Sequence, residues 1–234
     1  MSIWTRLANI VGALAARGES LIALLERRDG ARPECSVAFT IAVVALGAKM
    51  AKADGRVNVA EVRAFRQVFQ IAPEDEAAAA RVFNLARQDV AGFDLYAARI
   101  ARMFRRQPRI LADILEGLFH IAVADGGYHA DEEAFLRRVS EIFGLSQSTF
   151  GCVQARMVGG RADPWRVLGL PPGADVAAAR VRWRKLVREN HPDRLVARGL
   201  PEESVTLANA RLAAINAAWE EISGGRPPQA LAAG

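Results

Sequence analysis

Histidine, tyrosine and cysteine are scarce in this chain: three, two and two among 234 residues. The cysteines, Cys35 and Cys152, stand far apart and in no Cys-x-x-Cys pattern. That excludes a zinc module and a disulfide framework, and fits reduced, partly buried thiols. Three scattered histidines make no metal cluster. Short alternating runs of Val, Ile and Thr hardly occur, so a sheet is not expected. Long hydrophobic runs are missing too. The uncharged stretches Leu7 to Ala16 and Cys35 to Ala48 fall short of the ~20 apolar residues a membrane span needs. What the chain does have is apolar content of 51%, much of it alanine, which favours helix. One or two nearly all-helical domains are expected.

The net charge of +5 and the pI near 9.8 raise the question of nucleic acid. The arginines are scattered among acids, however, and the aromatics fall at core-like spacings. No specific nucleic-acid partner is expected. The local excess of positive charge is better explained by a stripe on one helix. From Asp175 to Asn190 the sequence reads as a helix, with Val176, Ala179, Trp183 and Leu186 at spacings of three and four on one face. Arg180, Arg184 and Arg188 recur every four on another face, with Lys185 beside them.

The tripeptide His191-Pro192-Asp193 follows. Pro192 biases His191 away from the α region, so the helix is expected to end by Asn190. A second helix is expected from Pro201 to Ser223, where Ala208, Leu212, Ile215, Trp219 and Ile222 form a stripe that packs on the first. Trp183, Leu186, Leu212, Ile215 and Trp219 are the expected core. Read alone, the tripeptide is a solvated turn capped by Asp193. A catalytic His-Asp pair is disfavoured, because no nucleophile or oxyanion site lies nearby.

Four segments in order carry a resemblance. They are Asp163-Pro164-Trp165-Arg166-Val167-Leu168-Gly169-Leu170, Trp183-Arg184-Lys185-Leu186, His191-Pro192-Asp193, and Ile215-Asn216-Ala217-Ala218-Trp219. Together they resemble the J domain of DnaJ-type co-chaperones, over residues 163–223. The resemblance implies a DnaK-type chaperone as partner. It assigns His191, Pro192 and Asp193, with Arg180, Arg184, Lys185 and Arg188, to contacts that trigger the partner's ATP hydrolysis. The ATP would then belong to the partner, and this chain is not expected to be an enzyme. One departure is Asn190, where the family usually carries an aromatic residue.

The preceding part, residues 32–156, contains an internal repeat. Ala53-Asp54-Gly55-Arg56-Val57-Asn58-Val59-Ala60-Glu61 corresponds to Ala124-Asp125-Gly126-Gly127-Tyr128-His129-Ala130-Asp131-Glu132. Each copy sits between an apolar helix and an amphipathic one, which predicts a pseudo-twofold helical bundle. This pattern resembles TerB-like domains. A TerB-like domain followed by a J domain resembles the DjlA-like co-chaperones of bacterial inner membranes. The extended His191 to Pro201 segment strengthens that likeness.

Two readings of the repeated acids stand side by side. Asp54, Glu61, Asp125 and Glu132 converge on a divalent cation such as calcium, or they serve the backbone. In the second reading Gly55 and Gly126 take a positive φ, while Asn58 with Glu61 and His129 with Glu132 have capping-box spacing. The backbone reading requires no cofactor and is preferred. The cation reading would make the chain a metal-binding stress-response protein.

Residues 1–31 carry an amphipathic stripe of Ile3, Leu7, Ile10, Val11 and Leu14. It suits docking on the bundle or contact with a membrane surface, aided by Arg6 and Arg17. A signal peptide is disfavoured, because Asn9 breaks the short apolar part. Residues 157–162, with Gly159 and Gly160, read as a linker, and 224–234 as a disordered tail. The expected location is the cytoplasm, with peripheral contact at the cytoplasmic face of the inner membrane open. No feature specifies a client or an oligomeric state.

Overall fold

A computed structural model describes residues 37–50, 59–68, 71, 73–88, 92–158, 163–191 and 202–224. The N-terminal amphipathic stripe, the linker glycines Gly159 and Gly160, and the tail beyond Gly224 lie outside the described residues. Among the described residues every regular element is a helix, so the protein is all-α. The chain divides into two compact units, residues 1–146 and 147–234.

The first unit holds α1 (Val37–Met50), α2 (Val59–Val68), α3 (Glu76–Gln88), α4 (Phe93–Met103), α5 (Pro108–Ala122) and α6 (Ala130–Ile142). Helix α1 is its centre: Ala42 through Leu46 and Ala48 are all buried, and α3, α4 and α5 pack on it. A helix apolar all round has no solvent face to offer, so it must be enclosed. Gly47 allows α2 to approach closely, since a Cβ there would stand 3.1 Å from the Phe65 ring. Phe65 in turn meets Phe83 of α3 edge-on, with ring centroids 5.0 Å apart.

Helix α5 begins with Pro108 in its first turn, where a missing N–H is harmless. It buries Leu111, Leu115, Leu118, Phe119 and Ile121. Residues Val123–Asp125 tighten into a 3-10 turn, and Gly126 ends it at φ 87° in the left-handed region. That is the conformation glycine tolerates without steric cost. The sequence expectation of a positive φ is met at Gly126; Gly55, its counterpart in the repeat, lies outside the described residues.

The second unit holds α7 (Gln147–Met157), α8 (Pro164–Leu168), α9 (Val176–Glu189) and α10 (Glu202–Ile222). Its core is Val167, Leu168, Ala179, Leu186, Ile215, Ala218 and Trp219. Helix α10 packs on α8 and α9, and α7 packs on α8 and α10. The compact units divide after Ser146, ahead of α7. The physical reason is polar as well as apolar. Ala155 packs against the second core, and Cys152 and Arg156 both donate to the Val167 carbonyl, at 3.4 and 3.2 Å.

The expected core needs two corrections. Leu186, Ile215 and Trp219 are buried, but Trp183 and Leu212 are only partly so. Ala179 and Leu186 define the line of α9 that faces inward. Val176 and Trp183 lie along a parallel line, roughly 60° around the helix, and Val176 is 48% exposed. Trp183 is a flank residue: its ring stacks on Trp219 at 5.3 Å, and its indole N–H donates to Asn216 Oδ1 at 2.9 Å.

Candidate functional site

Helix α9 is started by Asp175, whose carboxylate accepts from the Ala178 N–H at 3.3 Å. It runs to Glu189 and is closed by Asn190, as Pro192 requires. Because its inward line is taken up by the core, the basic residues on its other faces are turned toward solvent. Arg180, Lys185 and Arg188 are exposed, and Arg184 is half-exposed. The Arg188 Nε donates back to the Arg184 carbonyl at 3.5 Å, holding that side chain along the helix. His191, the first residue of the tripeptide, is exposed at the helix end. Pro192 and Asp193 lie outside the described residues.

Two arginines that the sequence did not single out have the opposite disposition. Arg182 Nε donates to the Leu168 carbonyl at 3.0 Å. Arg156 donates to the adjacent Val167 carbonyl. Both neutralise the C-terminal end of the short helix α8, where orphan carbonyls favour cations. Helix α8 is itself capped by Asp163, which accepts from the Trp165 N–H at 3.0 Å. Spacing alone does not separate Arg182 from Arg184. Only the packing of α8 against α9 shows that one arginine is consumed internally while its neighbour is presented.

At the end of α9, Asn190 is 3% exposed. Its side-chain Nδ2 donates to the Leu186 carbonyl at 2.7 Å, and its Oδ1 accepts from Arg211 Nη1 at 2.9 Å. The Arg211 partner was not foreseen from the sequence, because it lies on α10, across the hairpin.

In the acidic repeat the second copy is occupied by its own backbone. Asp125 Oδ1 accepts from the Gly127 N–H at 2.8 Å, an Asx turn. Glu132 is 3% exposed, and its Oε2 accepts from the His129 N–H at 2.8 Å. This is the reaching-back half of a capping box. Asp54 and the side chain of Glu61 lie outside the described residues. Among the described residues no three His, Cys, Asp or Glu side chains gather to hold a metal ion. No described helix is long and apolar enough to cross a membrane.

Elsewhere in the first unit His120 lies half-buried on α5, one turn after the buried Glu116. Burial lowers its pKa below the ordinary 6.5, and the Glu116 carboxylate opposes this by a smaller amount.

Comparison with known proteins agrees with this two-part arrangement. The family described as tellurite resistance protein TerB matches residues 40–155. The co-chaperone protein DjlA of Coxiella burnetii is 30% identical over 194 residues, covering 74% of this chain and 72% of that protein. That of Photorhabdus laumondii is 26% identical over 199 residues, covering 73% of each. That of Escherichia coli K12 is 32% identical over 132 residues, covering 46% of this chain and 49% of that protein. No solved structure matched the chain. With a helical bundle of TerB type ahead of a basic helix that is followed in sequence by His191-Pro192-Asp193, and with a likeness that spans most of both chains, this protein belongs to the DjlA co-chaperone family.

Proposed function

We propose that the second unit is a J domain that docks on a DnaK-type chaperone through the outward face of α9 and stimulates that chaperone's ATP hydrolysis. The observation that carries this reading is the division of labour on α9. Its inward line is committed to the core, while Arg180, Lys185 and Arg188 are exposed on the helix that delivers His191 to the surface. A row of exposed cations attracts an acidic surface, speeds encounter and weakens with salt. Docking would place His191, Pro192 and Asp193 against the partner.

In this reading the first unit supplies targeting or client binding, and the chain acts in the cytoplasm, where ATP is available, with peripheral contact at the inner membrane open. The chain itself performs no chemistry. A cation at the acidic repeat is not needed, and Asp125 and Glu132 are engaged by main-chain amides.

The test is single-turnover ATP hydrolysis by DnaK from the same cells, with wild-type protein and with His191→Gln. Stimulation by wild type and none by the variant is expected, with equal helicity by circular dichroism, because an exposed loop residue supports little packing. No stimulation by either folded protein sinks the reading.

A further inference from the structure

We infer that Asn190 and Arg211 form a clamp that holds the end of α9 from which His191 follows, and that they are positioning residues for His191. The inference rests on the J-domain reading for its functional consequence, and on geometry for the clamp itself.

A buried amide needs partners for both of its ends. Asn190 has them. The Leu186 carbonyl receives the Asn190 main-chain N–H at 3.0 Å and its side-chain Nδ2 at 2.7 Å. That orientation leaves Oδ1 for Arg211 at 2.9 Å. The assignment is forced, because a guanidinium has no acceptor and only the amide oxygen can face it. The Arg211 bond is charge-assisted, and it places a cation at the C-terminal end of α9, where the helix dipole favours one. The last turn of α9 is thereby tied to α10, at a residue 21 positions along the chain.

The clamp sits immediately before the tripeptide. Asn190 has left the helical conformation, at φ −106° and ψ 13°. Fixing its side chain and its main-chain N–H holds the Cα from which the chain continues to His191. J domains usually have an aromatic residue at this position, whereas Asn190 makes both bonds here. Here the position carries a hydrogen-bonded link across the hairpin. Arg211 is therefore a cation of internal purpose, distinct from Arg180, Lys185 and Arg188 on the presented face of α9.

The experiment uses the full chain as Asn190→Ala, Arg211→Ala, Arg211→Lys and the double variant Asn190→Ala/Arg211→Ala, with two readouts. The first is the backbone amide resonance of His191 by heteronuclear NMR. It is expected to move in Arg211→Ala and in Asn190→Ala, and to stay closer to wild type in Arg211→Lys, which keeps a donor. An unmoved His191 amide in Arg211→Ala overturns the clamp, whatever the protein does to DnaK. The second readout is DnaK single-turnover hydrolysis against concentration. A misdirected trigger is expected to lower the maximal rate about tenfold with little change in the half-maximal concentration, because the basic stripe is intact. The double variant is expected to be no worse than either single one, and Arg211→Lys to recover part of the rate.

An unchanged maximal rate, or losses that multiply in the double variant, overturns the positioning role. So does a shift confined to the half-maximal concentration, which marks partial unfolding. If wild type fails to stimulate DnaK at all, the J-domain reading falls, and the clamp stands or falls on the His191 resonance alone.

Discussion

The two charged motifs of this chain look equally conspicuous in sequence and are spent in opposite ways. In the first unit, Asp125 and Glu132 turn onto their own backbone, each accepting a main-chain N–H at 2.8 Å. In the second, Arg180, Lys185 and Arg188 stay exposed along α9. The acids sit at a helix junction, where orphan amides compete for any oxygen within reach. The basic residues sit along the helix, where the main chain is already paired, so outside claims come from the ends of neighbouring elements; Arg188, in the last turn, bonds back to the Arg184 carbonyl. Arg182 illustrates the rule, since the nearby end of α8 claims it. A repeated polar motif is thus a poor indicator of a ligand site when it falls at a helix boundary, and a better one when it falls along a helix flank.

The comparison breaks if the basic stripe contributes nothing to partner engagement. Reversing Arg184 and Lys185 together to Glu sets like charges against the acidic surface proposed for the partner. Such juxtaposition costs several kcal/mol, so the half-maximal concentration for DnaK stimulation is expected to rise about a hundredfold. The melting temperature of the second unit is expected to change little, since neither residue belongs to its core. Equal stimulation by variant and wild type across a salt series would remove the stripe from the interface.

Glu132→Gln is the mirror of that experiment. It replaces a buried carboxylate that accepts the His129 N–H with a neutral acceptor, weakening a charge-assisted bond. A loss of about 1 kcal/mol in first-unit stability is expected, with DnaK stimulation unchanged. Calcium titration by calorimetry completes the contrast: no heat is expected from the wild type, and saturable heat abolished in Glu132→Gln would restore the cation reading of the repeat.

Much of this architecture is legible in sequence, because helix boundaries have local causes. Helix α9 is closed by Asn190, where Pro192 in the sequence implied its end, and Gly126 takes the left-handed turn that the Asp-Gly pair implied. The basic face of α9 and the exposure of His191 also follow from periodicity and position. What is not legible depends on contacts between distant segments. Helix α7 falls within the TerB family match, yet it packs with the second unit through Ala155, Cys152 and Arg156, whose partners lie beyond the linker. Trp183 belongs to the expected stripe by spacing, but the inward line of α9 runs through Ala179 and Leu186 and leaves it on the flank. Arg211 carries no sequence signal at all, because its role is defined by Asn190 across the hairpin.

Acid offers a further way to sharpen the difference between the units, and the smallest expected effect. Burial holds the His120 pKa below the ordinary 6.5, so the folded first unit binds this proton less readily than the unfolded chain does. Stability therefore rises with pH across the interval between the two values. The contribution of the neutral ring is fully present above the unfolded value and is lost as pH falls through the lowered folded one. Histidine is the side chain that titrates between about pH 5 and 8, which isolates this effect from the carboxylates. Tyrosine reports the first unit alone: the chain's two tyrosines, Tyr96 and Tyr128, both lie there. Thermal melts over that range are expected to show the tyrosine-reported transition falling with acid in the wild type and flattening in His120→Gln. An equal acid slope in both proteins would mean that Glu116 offsets the burial of the ring, and that His120 does not couple the first unit to pH.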